Sequence, residues 1–205
     1  MNKIFRELKH HAPFTAFGAV TGILFMVVFR NMPHEVEHGL FYVFHPLHVV
    51  LSAIVTTAIY KLHRGESVKG VRGILPLILV GYFGSIGIAT LSDSIIPFTG
   101  EKLLGLPHAH MHAGFIEEWY IVNPAAFAGI FMGYFWPRTK FPHAGHVLIS
   151  TWASLFHVMM AMGGVASFAT YFWIFVFLSL SVWLPCCFSD IIFPLLFVKR
   201  KEQLI

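Results

Sequence analysis

PHEVEHGLFYVFHPLH, Pro33 to His48, runs directly into the apolar stretch VVLSAIVTTAIY, Val49 to Tyr60. Residues 40–60 supply the ~20 residues that a helix needs to cross a ~30 Å hydrocarbon layer. Pro33 suits the first turn of that helix, where its missing N–H costs nothing. His34, His38, His45 and His48 then fall within about 80° of one another at 100° per residue, so the predicted helix carries four imidazoles on one face. His34-Glu35-Val36-Glu37-His38 also reads H-E-x-x-H, a spacing that offers two imidazole nitrogens to one metal with a glutamate beside them.

A second stretch repeats the pattern. Pro107-His108-Ala109-His110-Met111-His112 places another P-H-x-x-x-H ahead of another apolar segment. If both form helices, His34/His38 and His108/His112 are i, i+4 pairs able to face each other. Four imidazoles, alone or with added carboxylates, would then make a closed or nearly closed metal site. His110 would fall on the other side of its helix, so it is either a ligand from a non-helical loop or a bystander.

The whole composition fits a membrane. The chain is 57% hydrophobic, and its 12% charged residues are about half the ~25% usual in soluble domains. Mean hydropathy is +0.71. The two cysteines are adjacent, Cys186 and Cys187, so no disulfide framework is implied. The first twelve residues are basic and polar and do not resemble a cleavable signal. A net charge of +4 does not point to nucleic acid.

The expected fold is an all-α, polytopic integral membrane bundle, one membrane domain over residues 1–205. Six apolar spans are predicted at about 13–30, 40–60, 73–96, 119–137, 146–163 and 165–185. With six spans, twelve of the 14 lysines and arginines fall on one side, leaving Arg30 and Lys102 on the other. They precede span 1 (Lys3, Arg6, Lys9), join spans 2 and 3 (Lys61, Arg64, Lys69, Arg72), join spans 4 and 5 (Arg138, Lys140), or follow span 6 (Lys199, Arg200, Lys201). The positive-inside rule makes that side cytoplasmic, with both termini inside, in what would be the cytoplasmic (inner) membrane of a prokaryote. Both histidine loops then face outward, with six of the ten acids: Glu35, Glu37, Asp93, Glu101, Glu117 and Glu118. The two hairpins over 13–60 and 73–137 share the histidine pattern and could be a duplication.

Small residues at Gly18 and Gly22, and at Ala125, Gly129 and Gly133, allow close helix packing in lipid. Trp119, Tyr120, Trp136, Trp152 and Trp183 are placed as interfacial anchors.

The metal candidates are His34, His38, His108, His110, His112 and Glu118. Glu118 is preferred to Glu117 by its place near the His108/His112 face, although a helix N-terminus favours acids in any case. Glu35 and Asp93 are the candidate proton acceptors. Asp93 could equally be a ligand, a hydrogen-bond partner to a ligating histidine, or a solvated helix-end residue. His45 and His48, with His157 from span 5, are candidate cofactor ligands: ionisable groups within a span suggest function. His48 is ~21 Å along the helix from His34, too far for one metal, so the face holds two sites or a path inward. A second metal, a proton relay, or a b-type haem on two histidines would fit. Near the basic end, Cys186/Cys187 with Asp190, His143 and His146 could form a soft-metal exit site, against the alternative of ordinary interfacial residues.

H-E-x-x-H resembles the motif of zinc metalloproteases, over five residues only, with no matching second motif. Histidine with few carboxylates suits zinc, copper or iron over magnesium or calcium. The favoured expectation is a membrane metalloenzyme, hydrolytic or redox, acting at the outer face on a lipid-soluble or membrane-associated substrate. The alternatives are a transition-metal permease and a cofactor-holding subunit of a larger membrane complex. Beyond the bilayer, other membrane subunits or further copies of the chain are the expected partners.

Overall fold

The computed structural model describes residues 2–68, 70–137, 140–187 and 192–198. Lys69, Arg138, Asp190, Lys199, Arg200 and Lys201 lie outside the described residues, as do the side chains of His10, His11, His143 and Cys187.

All regular structure among the described residues is helical. The helices are α1 (Asn2–Val28), α2 (His34–Arg64), α3 (Val71–Thr90), α4 (Ile96–Leu103), α5 (Gly114–Glu117), α6 (Trp119–Phe135), α7 (Lys140–Met162), α8 (Phe168–Cys187) and α9 (Phe193–Leu196). A π-helical turn, Leu91–Ile95, joins α3 to α4 without a break.

Four stretches are long and apolar enough to cross a membrane: His34–Arg64, Gly73–Leu103, Gly145–Met162 and Phe168–Cys186. The other two expected spans are shorter apolar helices. Ala12–Val28 in α1 and the 17 residues of α6 each rise only ~26 Å, the low end of what a bilayer needs.

α2 is the central element. It packs against α7, α6 and α3, while α1 rests on α7 and α8. Backbone proximity makes the α2–α6 contact possible: a Cβ on Gly133 would lie 2.6 Å from the Ile54 carbonyl oxygen, and one on Gly129 would lie 2.7 Å from Ala53 Cβ. Gly18 and Gly22 similarly admit Thr151 and Leu155 of α7 against α1. The small residues therefore pack helices, as their spacing indicates.

The main apolar cluster lies among α1, α2, α7 and α8, with Ala19, Met26, Phe41, Leu155, Phe156 and Leu178 fully buried. Trp152 departs from the anchor expectation. It packs into this cluster against Phe25, Phe44 and Phe156, because its position on α7 turns toward α1 and α2.

The connections α1–α2, α4–α5 and α7–α8 meet at one end. Arg30 and Asn31, His108 and His110, and Gly163 and Gly164 line one shared cavity of about 650 Å³. The two histidine loops are therefore neighbours. The second of them is not helical, however: residues 104–113 form turns and extended chain between α4 and α5. This corrects the expectation of two facing helical i, i+4 pairs. Gly105, at φ +65°, ends α4 in a left-handed conformation that glycine adopts without strain.

Candidate metal centre and its histidine column

α2 carries its histidines from the exposed end into the bundle. His34 is exposed and His38 half-buried, while His45 and His48 are 1% and 0% exposed. The predicted single face takes the four from the shared cavity, which His34 lines, to the buried contact where His45 and His48 meet Asp93.

The deepest feature is centred on Asp93, fully buried in the π-helical turn. Pro97 has no N–H to return to the Asp93 carbonyl four residues earlier, so the α-helical ladder is interrupted there. Such wide turns often mark functional sites. Asp93 Oδ2 accepts hydrogen bonds from His45 Nδ1 (2.9 Å) and His48 Nδ1 (2.8 Å). Its Oδ1 accepts from Ser92 Oγ (2.7 Å) and Ser150 Oγ (2.9 Å). Four donors satisfy the carboxylate, the only arrangement in which a buried charge is tolerable.

A carboxylate only accepts, so both imidazoles carry a proton on Nδ1, which leaves Nε2 as the atom that would ligate a metal. Neither Nε2 meets a hydrogen-bond partner. This carboxylate–histidine arrangement is how metal-ligating imidazoles are typically oriented. The His45 ring lies against Gly114, where a Cβ would stand 2.8 Å from Nε2.

His48 leads on to the basic end. Its ring stacks in parallel on His146, with centroids 5.5 Å apart. Donor atoms of His48, His146 and Cys186 all lie within 4.8 Å of one another, and all three residues are buried. Ligands on a shared zinc ion at about 2.0–2.3 Å sit roughly 3.3–3.8 Å apart, so small side-chain movements would close the set around an ion. Two imidazoles and a thiolate suit copper or zinc.

Toward the histidine end, His157 Nδ1 donates to Glu101 Oε1 (2.7 Å), both fully buried. The His112 backbone N–H donates to His157 Nε2 at 3.3 Å. The Phe41 ring packs on both His45 and His157, at 5.3 and 5.5 Å between centroids. With both ring nitrogens of His157 engaged and Phe41 against it, a haem spanning His157 and α2 has no support in this geometry.

At the mouth, His112 Nδ1 donates to Glu117 Oε2 (3.2 Å), which also accepts from the Tyr42 hydroxyl. Burial raises the pKa of the Glu117 carboxyl. The bonds from Tyr42, His112 and the Ala113 N–H outweigh it, and the group ionises below the ordinary carboxylate range. Burial also holds the His112 imidazole below its ordinary value, against the pull of Glu117.

The structure thus redistributes the sequence candidates. His34, His108, His110 and His112 line the shared cavity, and His38 packs edge-on to His112 at 5.9 Å. Among the described residues, the single group with three donor atoms within 4.8 Å of one another is His48, His146 and Cys186, at the other end of the column. Glu37, buried and 3.8 Å from His34, lines the cavity, while Glu35 is exposed and does not. Glu117, not Glu118, contacts His112.

Sequence reasoning missed Ser92, Ser150, Ser154, Tyr42 and the partnership of His146 with His48. A signal existed on α7: His146, Ser150, Ser154 and His157 fall within about 80° at helical spacing, a second polar face able to meet that of α2. No protein-family model, curated protein or solved structure matches the chain.

Proposed function

We propose that this protein is a membrane permease for a transition-metal cation. In this reading it has six spans, both termini and the basic loops in the cytoplasm, and the histidine end facing outward. The observation that carries the reading is the buried His48–His146–Cys186 set, reached along α2 from a histidine-lined cavity.

Several features support movement over a purely static site. Ligand-capable groups follow one another through the bundle: His38, His112, Glu101 held by His157, His45 and His48 bridged by Asp93, then His146 and Cys186. Buried Nε2 atoms of His45 and His48, and Oε2 of Glu101, have no hydrogen-bond partner, a costly state that a passing cation would relieve. The three-donor set is wholly buried, which suits a transit site better than one that must meet a bulky lipid-soluble substrate.

The embedded-metalloenzyme reading has separate support in Tyr42, Glu117 and His112, which form an acid–base cluster near the opening. There Glu117 stands where Glu35 was expected to act, and Asp93 orients imidazoles instead of meeting substrate.

Reconstituted vesicles separate the two. The permease reading expects uptake of zinc or copper by vesicles holding the wild-type protein, lost in His48→Ala and Cys186→Ser. A wild-type protein that purifies with a stoichiometric metal and shows no flux would overturn the permease and leave the enzyme.

A further inference from the structure

The cavity at the histidine end has an unusual lining. Every apolar side chain facing it is methionine: Met26, Met32, Met159, Met160 and Met162. Among the described residues, no leucine, isoleucine, valine or phenylalanine lines it, although the chain has 22 phenylalanines against eight methionines. Met26, Met159 and Met160 are buried and belong to the cluster under the cavity. No other buried methionine occurs among the described residues, and the other three apolar clusters contain none. Methionine used only as an adaptable filler would be expected in any irregular part of the core. Among the described residues, buried methionine is confined to this cavity.

The same cavity is also lined by imidazoles, from His34, His108, His110 and His112. Among the described residues Glu37 is the single carboxylate of the lining and Arg30 the single guanidinium, and His34 lies 3.8 Å from Glu37. Neutral thioether and imidazole donors select by softness: thioethers favour monovalent copper and offer little to zinc, iron or harder cations. Few fixed negative charges also suit a singly charged ion better than a divalent one.

We propose that this cavity is an entry site for Cu(I), held by the methionine thioethers and the cavity histidines, and that copper already in its monovalent state is the cargo. This rests on the permease reading and narrows it to one cation. The soft sulfur of Cys186 at the far end of the column is of matching chemistry.

The test is an anaerobic Cu(I) competition against a bathocuproine chelator on the detergent-purified full chain, with Zn(II) titrated in parallel. Met159→Leu/Met160→Leu removes two thioethers while nearly conserving volume, a swap that cores tolerate well. Cu(I) affinity at the cavity is expected to fall at least about tenfold in this variant, with Zn(II) binding unchanged. X-ray absorption of the Cu(I)-loaded Cys186→Ser/Cys187→Ser protein should still show sulfur ligands, since methionine is then the remaining sulfur donor in the chain.

Unchanged Cu(I) binding in Met159→Leu/Met160→Leu, or a nitrogen-only copper environment in Cys186→Ser/Cys187→Ser, would overturn the inference. If His48→Ala still abolished zinc flux in that case, the permease reading would stand without it. Absence of any metal binding or flux in the wild type would overturn both.

Discussion

Asp93→Asn tests the centre most directly, because one carboxylate orients two imidazoles. Asparagine keeps the shape and can retain an acceptor toward His45 and His48, while its amide can donate to the Ser92 or Ser150 hydroxyl. What is lost is charge. A hydrogen bond to a charged group contributes about 1.5–3 kcal/mol and a neutral one about 0.5–1.5, so the two imidazole bonds together weaken by roughly 2 kcal/mol. About half of that falls on His48, equivalent to about fivefold in metal affinity at the His48–His146–Cys186 set. The fall in Nε2 basicity adds to it, and replacing partners of this kind costs 10–100-fold elsewhere, so a loss of about tenfold or more is expected. The assay is chelator competition for Zn(II) in detergent, with thermal melting to show that the fold persists. Glu101→Gln is the control, since Glu101 bonds His157, which lies outside the three-donor set. Affinity for Asp93→Asn within about twofold of wild type, or an equal loss in Glu101→Gln, would refute the role assigned to Asp93.

Other outcomes follow from the same structure. Gly133→Ala should lower stability by about 1–3 kcal/mol, because its Cβ would meet the Ile54 backbone oxygen, whereas Gly87→Ala, with open space around it, should be neutral or slightly stabilising; melting in detergent reads both. Glu117 ionises below its ordinary value of 4.5, so the stability that wild type holds over Glu117→Gln should be fully present above that pH and close as pH falls through the lower folded value. In a Cys186→Ser/Cys187→Ser background, an impermeant maleimide should label Val165→Cys on intact cells but Leu62→Cys only after permeabilisation; the reverse pattern would invert the topology. Both test positions are exposed, at 70% and 57%.

Helical class, membrane character and the alignment of four histidines on α2 were legible in the sequence. These depend on composition and on the 3.6-residue period, which act locally. The close α2–α6 contact was legible for the same reason, since Gly129 and Gly133 mark a backbone approach before the partner is known. Helix length was harder to read. Pro97 and the π-helical turn extend the third stretch to Leu103, while Gly105 and the irregular chain after it keep His108–His112 out of any helix.

The tertiary structure alone decided which donors meet. His48 and His146 are 98 positions apart in the chain, and Cys186 is 40 beyond His146, so no spacing rule could join them. The H-E-x-x-H motif drew attention to the exposed mouth because its ligands are close in sequence. The buried set that could hold a metal lies instead where α2, α7 and α8 converge. Asp93 is decisive for the same reason: a serine–aspartate–serine triplet reads as an ordinary helix end, and only the packing of α3, α2 and α7 places two imidazoles and a hydroxyl from other helices around its carboxylate.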